Sequence, residues 1–242
     1  MCNALERLNN IFNISIEKNA ILQWITDGAL EGDPALAPTA PMYGPMQYEL
    51  CPEPTITVQI PTFTSNASPS TSNTNPYDCF ALSAGLTQDR WLRAFEIVPG
   101  DRSIVHHVVV TVDTTGNATS DLSGNCTNQG GQFGIGGWSS GSAAVVFPGK
   151  APFKAGIRIK AGSKLILQIH YAPGSGGKKD STKIRMYYYP VGETGIRPVY
   201  SDTWLQNWFM NIPANDSVTY NATHAVGNTS ISLFSTSPHS HN

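Results

Sequence analysis

Histidines are the residues of this chain best suited to chemistry, because imidazole nitrogens bind transition metals and exchange protons near neutral pH. Three neutral imidazoles suit copper or zinc, and an open coordination position would leave such a site reactive. Two of the histidines are adjacent, and two others are separated by one residue. The chain has His106, His107, His170, His239 and His241, and an isolated His224 to which no role is assigned.

The adjacent pair, His106 and His107, lies in the apolar run of residues 104–110, where bare imidazoles need a polar partner. Successive strand residues face opposite sides, so both rings bind one ion only if a bulge or the strand's end turns one of them. The alternative is one buried, hydrogen-bonded histidine beside one exposed histidine. Both interpretations stay open on these residues alone.

The remaining candidate ligands come from two other segments. In residues 164–171, alternation places His170 on the more polar face of a strand. It is either a solvent-facing side chain or a third imidazole delivered from a neighbouring strand to the outside of the sheet. His239 and His241 are two residues apart, so on an extended segment both rings point to one side, which is chelating geometry. A histidine-rich terminal tail is the alternative for this pair.

Short runs with a period of two must position these side chains, because β-branched and aromatic residues dominate such runs from residue 55 onward. Turn residues separate the runs, which indicates a mainly β chain with an antiparallel, jelly-roll-like β-sandwich. Two stretches rich in Ser, Thr, Asn and Gly, 64–76 and 114–142, are predicted to be loops. The predicted strands are 55–60, 91–98, 103–112, 163–171, 182–189, 217–225 and 229–236.

Four regions are predicted along the chain. Residues 1–35 contain one short helix, because apolar residues recur there at helical spacing before an Asp-Gly stop. Residues 36–54 are a proline-rich linker, since proline continues neither a helix nor a central strand. Residues 55–192 suffice for one β-sandwich. Residues 196–242 are too few for another sandwich and are expected to be the start of a second one.

Composition excludes several classes of function. The 242 residues carry 15 Lys and Arg against 17 Asp and Glu, a net charge of −2, so no basic excess predicts nucleic-acid binding. Charged residues make up 13%, about half of the roughly 25% usual in globular chains, as in many extracellular β proteins. No apolar run is long enough to cross a bilayer. Four cysteines without a CxxC spacing exclude a zinc knuckle and allow at most two structural disulfides.

Seven motifs follow one another in an order that resembles a known family. They are Tyr77-Asp78-Cys79-Phe80, Arg93-Ala94-Phe95-Glu96-Ile97-Val98-Pro99-Gly100, Val105-His106-His107, Gly137-Trp138, Phe147-Pro148, Leu167-Gln168-Ile169-His170-Tyr171 and Pro238-His239-Ser240-His241. Together they are similar to the copper type II, ascorbate-dependent monooxygenases, the family of peptidylglycine alpha-hydroxylating monooxygenase and dopamine beta-monooxygenase. The resemblance covers residues 40–242 and is closest to bacterial members, in which a c-type cytochrome-like domain precedes the catalytic region. Residues 20–33 resemble the last helix of that domain.

The resemblance implies an oxidoreductase with two copper ions. Such an enzyme hydroxylates a C–H bond of a small-molecule or peptide substrate with dioxygen, and takes electrons from ascorbate or another one-electron donor. The resemblance assigns His106, His107 and His170 to the first, electron-transfer copper, and His239 and His241 to the second, oxygen-binding copper. The family's methionine ligand of the second copper should lie downstream of Asn242. The chain is therefore expected to be a piece cut at both ends, with an incomplete second site and no hydroxylase activity of its own.

The same resemblance carries expectations about cysteines and partners. The family bridges the cysteine of its Y-x-C motif near the first copper, which implies a disulfide between Cys79 and Cys126. Cys2 is expected to be unpaired, and the pairing of Cys51 stays undecided. A disulfide belongs to a secreted or periplasmic protein, although no signal segment opens the chain. The expected partners are the substrate, dioxygen and a c-type cytochrome domain, without nucleic acid or a membrane span.

Two other functions compete with this interpretation. A secreted β-sandwich binding or adhesion module would use the histidines structurally and its Ser, Thr and Asn surface for carbohydrate or adhesive contacts. A zinc hydrolase would use the three imidazoles but needs a general base. Asp101 and Asp113 flank the His-His strand, and neither has a spacing that assigns it this role.

Overall fold

A computed structural model describes residues 14–33, 36, 50, 53–68, 76–126, 133–201, 211, 213, 217–228 and 230–234. The chain divides into two units, Met1–Tyr200 and Ser201–Asn242. Among the described residues, all helices and strands belong to the first unit. The elements are α1 (Ile14–Thr26), β1 (Ile56–Gln59), β2 (Phe63–Thr64), β3 (Tyr77–Ser83), β4 (Arg90–Val98), β5 (Val105–Asp113), β6 (Phe133–Ser139), β7 (Val145–Val146), β8 (Ala155–Ile159), β9 (Lys164–Tyr171), β10 (Lys179–Asp180), β11 (Lys183–Tyr188) and β12 (Arg197–Pro198).

The strands form two main sheets and one short pair. The first sheet has the order β1-β11-β4-β8-β12, and β7 also pairs with β4. The second sheet has the order β3-β9-β5-β6, while β2 pairs with β10. Neighbouring strands are antiparallel except β12 and β8. The predicted fold class, a mainly β, antiparallel sandwich with one short helix, is confirmed.

The hydrophobic core draws on both sheets. Along β9, the alternating residues Leu165, Leu167 and Ile169 are fully buried, as the period of two requires. Phe95 on β4 belongs to the same core cluster. The ring of Phe95 comes so close to β6 that a Cβ atom on Gly136 would lie only 2.8 Å from it. The second sheet therefore presents one face to the core and leaves its other face for a functional site.

Two strand predictions and one loop prediction were wrong. Residues 217–225 are described and form no strand, and the described part of 229–236, residues 230–234, forms none either. Nearly all these side chains are exposed, so their β-branched residues gain no burial from pairing. Residues 114–142, predicted to be a loop, contain strand β6. Its glycines resemble loop residues in the sequence, but Gly136 is required where the Phe95 ring approaches.

Helix α1 ends close to the predicted Asp-Gly stop. Gly28 has a φ of +94°, a left-handed conformation that terminates helices and that glycine adopts without strain. In the described part of the chain, no helix combines the length and the apolar character that crossing a bilayer requires.

Candidate metal centre

A bulge at the start of β5 decides where the two adjacent histidines point. Val105 pairs with Tyr171 and His107 pairs with His170, so His106 is an extra residue on β5 with no partner of its own in the register. Without the bulge, alternation would bury residue 106 on the same side as Val108. Instead Val105 and Val108 are both buried, while His106 is exposed and His107 half-buried. The bulge therefore turns both imidazoles away from the core.

The three histidines of the first predicted site come together on the outside of the second sheet. Nδ1 of His106 lies 3.0 Å from Nδ1 of His107, which in turn lies 3.4 Å from Nδ1 of His170. One ring nitrogen from each residue lies within 4.8 Å of the other two. Two nitrogens each about 2 Å from a shared ion are separated by about 2.8–4 Å. The rings are thus close to the arrangement that a single bound metal ion needs.

His170 is the enclosed member of the group. Its residue is only 5% exposed, and its Nε2 atom is buried without a hydrogen-bond partner among the described residues. Burial, and then the neighbouring His107 and His106, lower the pKa of His170 to about 4. At neutral pH this imidazole is therefore uncharged, which is the form that binds metals. No proton has to be displaced from it when an ion enters.

Tyr77 holds the plane of the His170 ring. The two residues pair directly across β3 and β9, and their rings stack with centroids 4.7 Å apart and an angle of 17° between planes. The Tyr77 ring also lies 5.8 Å from that of His107. Sequence reasoning quoted Tyr77 within a motif but assigned it no role. One feature of the sequence could have indicated this role. Tyr77 lies two residues before Cys79 and so on the same face of the strand, the face that carries the cysteine expected near the first copper.

A disulfide covers part of this outer face. Cys79 and Cys126 are joined, with Cα atoms 5.8 Å apart, within the roughly 7 Å that a bridge allows. Ile166, on the outer face of β9, is 2% exposed and packs against both cysteines. The disulfide thus fastens residues 114–126, called here the covering loop, to the second sheet.

Polar contacts from β9 complete the attachment of the covering loop. Gln168 donates from Nε2 to the carbonyl of Cys126 at 2.8 Å, and Lys164 donates from Nζ to the carbonyl of Ala118 at 2.7 Å. These side chains alternate with buried leucines, so they lie on the same face as His170. The more polar face predicted for β9 is covered along most of its length, and the histidines lie at its end.

Four of the residues considered in the sequence as ligands or as disulfide partners fall on parts of the chain that the structure does not describe. His239, His241, Cys2 and Cys51 lie outside the described residues. His224 is described and exposed.

The two aspartates considered as general bases are already engaged. Asp113 accepts hydrogen bonds from the hydroxyl of Thr115 at 2.6 Å and the amide of Ala118 at 2.8 Å, and these bonds lower its pKa to about 2. Asp101 accepts from the hydroxyl of Ser103 at 2.7 Å, which lowers its pKa as well. Neither belongs to the histidine group found among the described residues. The zinc hydrolase interpretation gains no support.

Asp78, next to Tyr77 on β3, is an unusual buried acid. It is fully buried, and neither carboxylate oxygen has a well-aligned hydrogen-bond partner among the described residues. Burial raises the pKa of Asp78, the backbone amide of Gly124 opposes this shift, and the charge of Asp121 adds to it. A buried charge without a partner is costly, so the folded protein favours the protonated acid.

We expect Asp78→Asn to be more stable than the wild type at neutral pH. Because the folded-state pKa is raised, the contribution of Asp78 to stability is complete below its unfolded pKa of about 3.9 and is lost as pH rises through the folded pKa. The amide does not titrate, so the advantage of the variant should grow with pH. The measurement is the free energy of unfolding of both proteins from about pH 4 to pH 8.

Asp180→Asn is the matched control for this experiment. Asp180 is also buried, but it accepts from the amide of Gly100 at 2.9 Å and from the hydroxyls of Tyr171 and Thr182 at 3.0 and 2.7 Å. An amide nitrogen facing these donors should destabilise the protein by about 1.5–3 kcal/mol. If D78N were as destabilising as D180N at every pH, Asp78 would be a paired, ionised group.

Comparison with known proteins adds no family to these observations. No protein-family model matches the chain, and no curated protein matches it. The case for a function therefore depends on the geometry of the histidine group and on the motifs of the sequence.

Proposed function

We propose that His106, His107 and His170 bind one copper ion and that this site passes single electrons in a copper-dependent monooxygenase. The observation that carries the proposal is the convergence of three ring nitrogens. Nδ1 of His107 lies 3.0 Å from Nδ1 of His106 and 3.4 Å from Nδ1 of His170. Structural histidines would direct these nitrogens to separate hydrogen-bond partners. Here they face one another, and the second nitrogen of His170 has no partner in the described structure.

The donor set favours copper among the metals. The group consists of imidazoles alone, without a thiolate or a carboxylate. For nitrogen donors of this kind, Cu(II) is the most strongly bound divalent ion of the first transition row, and imidazole ligands also hold Cu(I). A site that accepts both oxidation states suits one-electron transfer.

The surroundings of the group suit a fixed ion with an open side. His170 is enclosed and stacked on Tyr77, whereas His106 is exposed. A small water-soluble reductant, with ascorbate as the expected one, can approach from the side of His106. In this proposal His239 and His241 belong to a second copper site, where dioxygen and the substrate C–H bond meet. A c-type cytochrome domain is an alternative electron donor, and the disulfide is compatible with a secreted or periplasmic location.

The test is copper binding by the purified chain. We expect one tightly held Cu(II) after dialysis, an electron paramagnetic resonance spectrum with coupling to several nitrogens, and loss of that signal when ascorbate is added. Zn(II) serves as the competing metal, and His224→Ala as the control for removal of a histidine outside the group. Two results would favour the binding or adhesion module instead: a well-folded chain that retains no metal, or bound Cu(II) that ascorbate does not reduce.

A further inference from the structure

Asparagines followed two residues later by Ser or Thr are unusually frequent in this chain. Seven of its 17 asparagines have this pattern, although the 43 Ser and Thr make up less than a fifth of the residues. Asn-x-Ser/Thr, with x other than proline, is the acceptor pattern for N-linked glycosylation. All five that the structure describes are exposed. The seven are Asn13, Asn66, Asn117, Asn125, Asn215, Asn221 and Asn228.

Two of these acceptor patterns belong to a short repeat around the covering loop. Residues 113–119 read Asp-Thr-Thr-Gly-Asn-Ala-Thr, and residues 121–127 read Asp-Leu-Ser-Gly-Asn-Cys-Thr. Each copy begins with an aspartate that accepts a hydrogen bond from the amide two residues later, at 2.8 Å in the first copy and 3.0 Å in the second. The repeated sequence therefore folds into a repeated turn.

The same turn presents the acceptor asparagine in both copies. The amide of Asn117 donates to the hydroxyl of Thr115 at 3.2 Å, and that of Asn125 donates to the hydroxyl of Ser123 at 3.3 Å. The glycine before each asparagine is left-handed, with φ of +72° in the first copy and +80° in the second. Each asparagine is thus exposed directly after a sharp bend, where a modifying enzyme can reach the backbone from outside.

We propose that Asn117 is an N-glycosylation site. Its complete acceptor pattern, Asn117-Ala118-Thr119, is described, and both Asn117 and Thr119 are exposed. In the second copy the middle residue is Cys126, which is buried and disulfide-bonded, so access there is more restricted. The disulfide is itself a sign of an oxidising compartment, where such modification takes place. The proposal does not depend on copper binding.

The covalent step uses a lipid-linked oligosaccharide pyrophosphate as the donor. A bond forms between C1 of the first sugar and Nδ2 of Asn117, while the bond between C1 and the pyrophosphate oxygen breaks. Nδ2 passes one proton to a base of the modifying enzyme, and the lipid pyrophosphate leaves with the bonding electron pair. No oxidant or reductant takes part.

A glycan at Asn117 would cover the covering loop but would not block access to the three histidines. The neighbouring Ala118 carbonyl is bound by Lys164, at one end of β9, whereas His170 lies near the other end. Six residues of a strand span about 20 Å. The glycan would thus be attached at the far end of the covering loop from the metal centre.

Mass spectrometry of the protein from its native source tests the proposal. Digested protein is treated with a peptide N-glycosidase in heavy-oxygen water, which converts each glycosylated asparagine into a labelled aspartate. We expect the label at position 117. Recovery of the peptide mainly with unmodified Asn117, before and after the enzyme, would overturn the proposal.

Variants of the third acceptor residue give a second measurement. In a eukaryotic secretory host, Thr119→Ala should remove the glycan from Asn117, whereas Thr119→Ser should retain it, because serine still supplies the hydroxyl. Both variants keep Asn117 itself, so a difference between them reports the acceptor pattern rather than the loss of the asparagine. A glycan that persists at Asn117 in T119A would contradict the proposal.

Discussion

Replacing His107 with alanine is expected to abolish tight copper binding by the chain. His107 is the central ligand, since its Nδ1 lies within 3.4 Å of the corresponding atoms of both His106 and His170. Its removal leaves only the imidazoles of His106 and His170, whose ring centroids lie 4.8 Å apart, and two ligands hold copper less tightly than three. Mutation of a residue that only hydrogen-bonds to a metal ligand typically lowers metal affinity by about 10–100-fold. Loss of a ligand itself should therefore lower the copper affinity by more than about 100-fold. Competition with a chelator of known affinity measures the change.

His241→Ala is the control for this prediction, because His241 belongs to the proposed second site. It should leave the tight copper almost unchanged. Thermal unfolding of metal-free H107A shows whether the fold survives, and we expect it to, since the buried neighbour Val108 is untouched. Equal copper affinity of H107A and the wild type would assign the tight site to other residues.

Removal of the Cys79–Cys126 disulfide is expected to cost about 2–5 kcal/mol of stability. The bridge spans 47 residues, so it restricts the unfolded chain, and it also seals Ile166 beneath the covering loop. The variant to test is the double replacement of both cysteines with alanine, which leaves no unpaired thiol in the buried cluster. The free energy of unfolding in denaturant measures the loss.

A reducing agent provides the matched condition for this experiment. It should lower the stability of the wild type towards that of the double variant and leave the double variant itself unchanged. The metal centre should respond less than the fold, because His170 remains paired with Tyr77 on β3. A double variant as stable as the oxidised wild type would show that polar contacts such as Gln168 to Cys126 hold the loop alone.

The sequence predicts the principal strands of the sandwich because burial on one face imposes a period of two. β9 follows that rule along its whole length, with Leu165, Leu167 and Ile169 in the core. The same rule predicts that His106 and His107 diverge unless a bulge intervenes. Whether the bulge forms depends on the pairing of Val105 with Tyr171, a long-range register that local residues do not encode.

Other features depend on contacts between distant segments. β6 is rich in glycine, and only the approach of Phe95 from the other sheet explains why Gly136 belongs in a strand. The covering loop likewise has a loop composition, and its attachment requires Lys164 and Gln168 from β9. Tyr77 acquires its place against His170 through the pairing of β3 with β9. Such contacts arise from tertiary packing, which overrides local propensity.

The bulge in β5 makes the metal centre a feature that evolution can add or remove with one codon. Deleting residue 106 would leave Val105 opposite Tyr171 and His107 opposite His170, in an uninterrupted ladder. Val105 and Val108 would keep their buried positions, so the packing of the core would not change. A sandwich of this kind can therefore gain its third imidazole by a single insertion at a strand end, before any other part of the fold has changed.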